Sequence, residues 1–591
     1  MKEKGEIVLN KKPFYTFLLA TAVASTLAAC NSDTGGSGEG TDGGEEGTGG
    51  EAVEGGNVNL GMMSPPDNLF NPIFYTSMYD SHILEITHEG LVQQDEEFNF
   101  IPELAEDWEF SDDNRELTYF LREDVKWHDG EDFTADDVVF TFTAMADPDY
   151  AGAGGIRQNY VNTLAGYEDY VSGESDTFAG VEKIDDYTVK FIFEEPSVKA
   201  LADTSMDIIP EHIFGDVPVA DIPSHAGSIN AGEMIGTGPF QLTEMLENEQ
   251  YVLTANEDYY QGAPKLDSIT WNVVSASVVA GMLEQGELDY VPRDFPAADV
   301  ATIDGNDNLT VFEQAQLGYQ YLGMKINHGP NDSLTDPNSW EPNEKLQDVE
   351  LRQAIVHAIN RQEFIDGFLR GHGELLDAPF PSASWAYNPD AVEGLAYDPD
   401  LAKQKLADAG YEDANGDGFV EDPDGNELVL NLDYPTGNPV REQVAPVMKE
   451  QLEAVGIQVN LNTPREAPAH FEIIEQNDTD VDLFLAGWSL SSGDPDPWPI
   501  NGGTAGYNYS RFLDEEQEKL LQEAVNPELA FDNQEFRAEK YGEWAQLFID
   551  NAYTVPLYAE TELHVYNKRL AGLTIKPFTF KDETHEWHLT E

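Results

Sequence analysis

The sequence predicts an α/β protein of two lobes joined by a pair of strands, and three observations carry that expectation. "LVLNLDYP", "PVREQVAPVMKEQLEAVG" and "IQVNLN" follow one another as strand, helix and strand. Val444, Val447, Met448, Leu452 and Val455 share the inward helical face, and a unit of this length implies parallel strands with a right-handed crossover. "DVDLFLAGWSL" supplies a further apolar strand, so residues 326–554 read as one α/β lobe. "YQYLGMKI" (319–326) and "YTVPLYAE" (553–560) are strands at the two ends of that lobe. A chain that leaves one lobe, builds another and returns makes a two-strand hinge that suits closure around a ligand.

From the N-terminus the elements follow in order. Lys2, Lys4, Lys11 and Lys12 precede an apolar run over residues 14–27, of signal-peptide length and too short to span a bilayer. Residues 1–29 are therefore set aside as a signal peptide. Leu27-Ala28-Ala29-Cys30 resembles the lipobox of bacterial lipoproteins, which implies cleavage before Cys30 and a lipid on its thiol. The alternative is a plain secretory signal whose cysteine is incidental. Cys30 is the single cysteine of the 591 residues, which excludes disulfides, zinc–thiolate sites and cysteine nucleophiles from the folded part. Residues 30–56 are Gly, Ser, Thr, Asp and Glu with almost no apolar side chain after the cysteine. They read as a flexible tether, because they bury too little to offset the entropy of ordering.

The rest can build cores: the chain is 40% hydrophobic and 11% aromatic, and its length allows several domains. No second apolar run reaches the length of a membrane span. The formal charge is −81, from 112 acidic and 31 basic residues. Nucleic acid is excluded as a partner, since phosphate binding needs clustered Lys and Arg. So strong an acidity speaks of solubility and surroundings, here an extracytoplasmic setting of high pH or high salt.

"GNVNLGMM" (56–63) reads as a strand, "SPPDNLFNPIF" as a turn-rich loop, and "SHILEITHEGLVQQD" as a helix passing into a strand. Leu117, Tyr119 and Leu121 alternate with Thr118, Phe120 and Arg122 in a further strand. His128-Asp129-Gly130 is a turn, and Thr134 with Asp137 is a capping box opening a helix that carries Val138, Val139 and Phe142. In "DVELRQAIVHAINRQEFIDGFLRG" (348–371), Leu351, Ile355, Ala358 and Ile359 share one helical face. Asn360, with Glu363 three residues on, caps a second helix that Gly371 closes.

"LREDVKWHDGEDFTADDVVF" (121–140) is similar to the signature segment of the family-5 bacterial extracellular solute-binding proteins, the dipeptide- and oligopeptide-binding components of ABC importers. "IIPEHIF", "GTGPFQL", "NEDYYQGAPKLDSITW", "LGYQYLGMKIN", the 348–371 segment and "GWSLSSGDPDPW" resemble the same family in the same order, from about residue 60 to the C-terminus. The resemblance implies a periplasmic-binding-protein-like, two-lobed α/β fold (type II, cluster C), with an extra subdomain in the first lobe and a two-strand hinge. On it, residues 57–90, 231–325 and 555–591 form lobe I, residues 91–230 the extra subdomain and residues 326–554 lobe II.

Ligands of open α/β sheets sit beyond the carboxyl ends of the strands, which places Trp488 and the Asp-Pro-Asp segment after it at the mouth of a crevice. In oligopeptide-binding relatives an Asp shortly after this Gly-Trp pairs with the peptide ammonium. Here that position is Ser491, and Asp494 and Asp496 are the nearest replacements. Asp-Pro also starts turns for local reasons, and Trp488 has ordinary core packing as its alternative. Tyr321, Gly323 and Tyr558 lie on the hinge strands, where the resemblance implies contacts to a peptide; packing of the hinge is the alternative. "DANGDGFVEDPD" (413–424) offers Asp413, Asn415, Asp417, Glu421 and Asp424 in a calcium-loop pattern, against an Asp/Gly-rich hairpin loop. Position 12 is Asp rather than Glu, and a strand follows, so an EF-hand is not expected. His128 and Asp129 sit in a structural turn, and no zinc-protease, nucleophile-elbow or P-loop motif is present.

The expectation is a non-enzymatic, lipid-anchored substrate-binding protein on the outer face of the cell membrane. It takes oligopeptides between two lobes and hands them to an ABC permease served by separate ATPase subunits, working as a monomer without a cofactor beyond the candidate calcium. Relatives that take nickel chelates, haem or oligosaccharides give the runner-up ligands, and a secreted hydrolase is the alternative of another class.

Overall fold

The computed structural model describes residues 52–329, 335–475, 480–576, 578–580 and 583–591. The signal peptide, Cys30 and the tether as far as residue 51 lie outside the described residues. Residues 52–56 differ from the tether expected of them. Ala52 and Val53 pair with Thr590 and Leu589 of the C-terminal strand His588–Thr590, and the Gly56 N–H donates to Asp267 at 2.8 Å. Backbone pairing and one bond to a distant carboxylate order this edge, so composition gave no sign of it.

One twelve-stranded sheet organises the molecule. At one end Val429–Asp433 pairs in parallel with Gln458–Leu461 and with Leu483–Ser489. The helix Pro439–Ala454 makes the expected crossover between the first two, burying Val444, Met448 and Leu452. Gly318–Met324 then pairs antiparallel with Leu483–Ser489. At the other end Asn57–Met62, Ser268–Val273, Gln250–Ala255 and Phe240–Leu246 lie side by side.

The strand Thr554–Asn567 joins the two ends. Its first residues, Thr554 to Tyr558, pair with Gly323 to Gln320, and its later ones, Thr561 to Asn567, pair with Ala315 to Leu309. The change of partner therefore falls at residues 316–317 and 559–560. The sequence reading put the lobe boundaries after 325 and before 555, one strand length further into the second lobe.

A separate antiparallel sheet, ordered Ala105–Phe110, Glu116–Leu121, Thr188–Ile192 and Val181–Asp185, carries the extra subdomain. Its strand Glu116–Leu121 alternates as predicted, with Leu117, Tyr119 and Leu121 buried against Val138 and Phe142 of the helix Ala135–Ala146. The capping box is formed in both directions: the Thr134 side chain accepts from the Asp136 backbone N–H and the Asp137 carboxylate from that of Thr134. His128 is a structural residue here. Its ring bonds Gly236 N and Gly238 O, and burial pushes it down to about 4. Each part has its own core, one around Leu485, Met448 and Trp544, one around Phe142 and Phe191, and one around Leu60 and Trp271.

Candidate ligand-binding cleft

A cleft of about 830 Å³ opens between the first lobe with its extra subdomain and the second lobe. Glu85, Gln94, Tyr160, Lys199 and Asp203 line one wall, and Tyr319, Trp488, Asp494, Asp496 and Tyr507 the other. The walls meet at two places. Lys199 Nζ lies 3.8 Å from Asp496 Oδ2, and a Cβ placed on Gly493 would lie 3.1 Å from that of Ala202. Outside the cleft, Phe110 and Phe531 close the same interface edge to face, with ring centroids 4.9 Å apart.

Trp488 ends the strand Leu483–Ser489 at its carboxyl edge, where the open-sheet rule put it. Its indole stacks on Tyr321 at 6.1 Å and an interplanar angle of 4°, and on Tyr509 at 5.6 Å and 22°. The stack holds the ring while leaving part of it to the cleft.

The Asp-Pro-Asp segment also reaches the cleft, but its carboxylates already have partners. Asp494 receives two parallel hydrogen bonds from Arg537, at 2.7 and 2.8 Å. Asp494 Oδ1 also accepts from the Asp496 N–H, and Asp496 Oδ1 from the Trp498 N–H, so both carry out the local turn-forming role weighed for them. Burial raises the Asp496 carboxyl above the usual range; Lys199 opposes this and Asp494 adds to it. Burial acts against the charge on Lys199, yet Asp496, Asp203 and Asp494 together hold its ammonium above its ordinary value.

The three hinge residues do not line the cleft. Tyr321 is 3% exposed and lies behind Trp488; Tyr558 is 1% exposed, inside the core of the second lobe. Gly323 sits under the Phe484 ring, so it serves the approach of a side chain rather than of a ligand backbone. Sequence reasoning missed Lys199, Asp203, Tyr319 and Tyr507. The one available signal was Lys199 itself, a lone cation in "EEPSVKALADTSMD".

The calcium-loop pattern forms a turn whose oxygens face its own amides. Asp413 accepts from the N–H groups of Gly416, Asp417 and Gly418, and Glu421 from the Ala414 N–H and the Asn415 side chain. Among the described residues no group of three or more His, Cys, Asp or Glu side chains is arranged to hold a metal ion.

The profile of the bacterial extracellular solute-binding proteins, family 5 Middle, matches residues 99–509. The oligopeptide-binding protein AppA of Bacillus subtilis (strain 168) is 31% identical over 549 residues, covering 92% of this chain and 93% of its own. Heme-binding protein A of Haemophilus influenzae is 28% identical over 496 residues, covering 81% and 82%. The solved structure of AppA from Bacillus subtilis, in complex with a nonapeptide, superimposes with a TM-score of 0.68 at 29% identity, over 92% of this chain and all of that one. Sequence, sheet topology and cleft thus agree: the chain belongs to the bacterial extracellular solute-binding proteins of family 5.

Proposed function

We propose that the protein captures oligopeptides in the cleft between its two lobes, and delivers them to an ABC permease for import. The observation that carries this reading is the cleft itself. Its volume of about 830 Å³ suits a chain of several residues, and its walls combine aromatic faces with charged groups. The named relatives bind oligopeptide in one case and heme in another, and the charged and aromatic walls of the cleft favour the peptide. The chain passes between the first and second lobes at residues 316–317 and 559–560, and Thr554–Asn567 carries the main sheet from one to the other. That connection suits hinge closure around a ligand.

In the same reading Cys30 carries a lipid that anchors a monomeric receptor at the outer face of the membrane, within reach of the permease. ATP is hydrolysed on other subunits. Mass spectrometry of small molecules released from purified protein tests the proposal. Peptides are expected; recovery of haem, a nickel chelate or an oligosaccharide instead overturns the ligand, and turnover of a substrate overturns the class. Loss of lipid on Cys30→Ser, read by the mass of the mature N-terminus, tests the anchor.

A further inference from the structure

We propose that the cleft selects peptides carrying net positive charge, with Asp203 as the carboxylate that receives the ligand's ammonium or guanidinium group. The inference rests on the peptide reading above and adds the ligand's charge to it. Among the described residues lining the cleft, Lys199 is the one Lys or Arg, and six are carboxylic acids. Three of the six have cations of the chain beside them. Asp494 has Arg537, Asp496 has Lys199, and Glu85 has Arg293 at 3.2 Å. Asp203 has no ion pair among the described residues; it accepts only a long bond, 3.4 Å, from the Thr163 hydroxyl.

The chain's general acidity does not account for this arrangement. Acids that keep a protein soluble stand in water, as Glu195 and Asp186 do with side chains 81% and 72% exposed. The cleft carboxylates are shielded instead: the side chains of Asp494 and Asp496 are 10% and 9% exposed. Ionised groups held out of water are costly unless a partner offsets the lost hydration. The Asp203 carboxyl feels that cost, because burial pushes it up to about 7 against the pull of Lys199, with Asp494 adding to the rise. A cation brought by the ligand would restore the balance, whereas an anionic ligand would add to the excess.

Space for such a group extends beyond the cleft. Glu85, Gln93 and Glu103 also line a second cavity of about 480 Å³, whose further walls include Asp95, Glu96, Glu97 and Glu583. Its basic members are Lys576, whose ammonium donates to Gln94 O at 2.7 Å, and His585. A long basic side chain reaching from the cleft meets mainly carboxylates there.

Calorimetric titration of alanine-based peptides of about three to nine residues, in three series bearing added lysine, no charge or added glutamate, tests the proposal. The lysine series is expected to bind about tenfold or more tighter than the glutamate series at 0.15 M salt. Asp203→Asn should lower the lysine-over-neutral preference several-fold, while Asp216→Asn, an exposed control, leaves it unchanged. Equal affinity across the series overturns charge selection and leaves the peptide reading standing. Equal effects of the two substitutions assign the preference to bulk charge and overturn the role of Asp203. Failure of every peptide to bind overturns both readings.

Discussion

Arg537 and Asp494 face each other through two parallel hydrogen bonds, Nη1 to Oδ2 at 2.7 Å and Nη2 to Oδ1 at 2.8 Å. The pair lies against Trp385 and Tyr541, and Arg537 Nε donates to Ala524 O at 3.0 Å. Burial opposes the Arg537 charge, but Asp494 holds it well above the ordinary arginine range. Asp494 is thus fixed from behind by the helix Gln534–Asn551, which sets the height of the Asp-Pro-Asp segment on the cleft wall. Removing the cation leaves Asp494 buried beside Asp496. Arg537→Ala is expected to cost about 3–5 kcal/mol in urea unfolding. Arg537→Lys should lose less, since it keeps the charge and forfeits the fork.

Gly323 separates hinge packing from ligand contact. A Cβ at this position would land on the Phe484 ring, whose neighbours in the core leave it little room to move. Gly323→Ala should therefore destabilise by about 1–3 kcal/mol, as overpacking does. Peptide affinity measured well below the melting temperature should stay within about twofold of the parent, a change worth under ~0.5 kcal/mol. A large affinity loss without a stability loss would return Gly323 to the ligand.

Trp488 behaves in the opposite way. Its ring is held by Tyr321 and Tyr509 and lines the cleft. Trp488→Ala should weaken peptide binding by about ten- to a hundredfold in calorimetry, the range for an aromatic contact at the centre of a site. The loss of stability should be smaller than that for a fully buried tryptophan, because this ring is only partly enclosed.

The pH dependence of stability follows from Asp203. Burial lifts its folded carboxyl to about 7, against an unfolded value near ~3.9. Between those values the folded state binds more protons than the unfolded one, so this group makes stability fall as pH rises from about 4 to about 7, and flat beyond. Asp203→Asn abolishes that slope. The difference in stability, variant minus parent, should rise by on the order of 1 kcal/mol across the window, after allowance for solvent screening. Thermal melts of ligand-free protein from pH 4 to 8 check the sign; a difference that falls with pH overturns the assignment.

Much of this fold could be read from local pattern, and only one wall of the site could. The capping box of Thr134 and Asp137 and the crossover between Val429–Asp433 and Gln458–Leu461 involve residues close in sequence, whose preferences survive folding. Lys199 and Asp496 come from different parts of the chain, so nothing local announces their meeting. Tyr321 is placed toward ligand by the resemblance, and the pattern of its own strand does not correct that. Gly318–Met324 is covered on both faces, six of its seven residues being buried, so the strand has no polar alternation to say which side the cleft is on. Trp488 was found because strand ends, unlike strand faces, are fixed by topology.

The loop at 413–424 gives the last test. Its spacing suits calcium, yet the Asp413 carboxylate accepts from Gly416, Asp417 and Gly418 at 2.7, 3.1 and 3.0 Å. Asp417 Oδ1 accepts from Phe419 at 2.9 Å, and Glu421 Oε2 from Ala414 at 2.8 Å. Asp424, the twelfth position, stands in the following turn, where its own N–H donates to Asp422. Such a loop is held in part by its own amides. A metal that bound the native loop would raise stability by mass action, about 2.7 kcal/mol at a hundred times its dissociation constant. Millimolar EDTA is therefore expected to leave the melting temperature unmoved, and added calcium to leave it within a degree. A rise of several degrees with calcium, reversed by chelation and absent in Asp413→Asn, would make the loop a metal site.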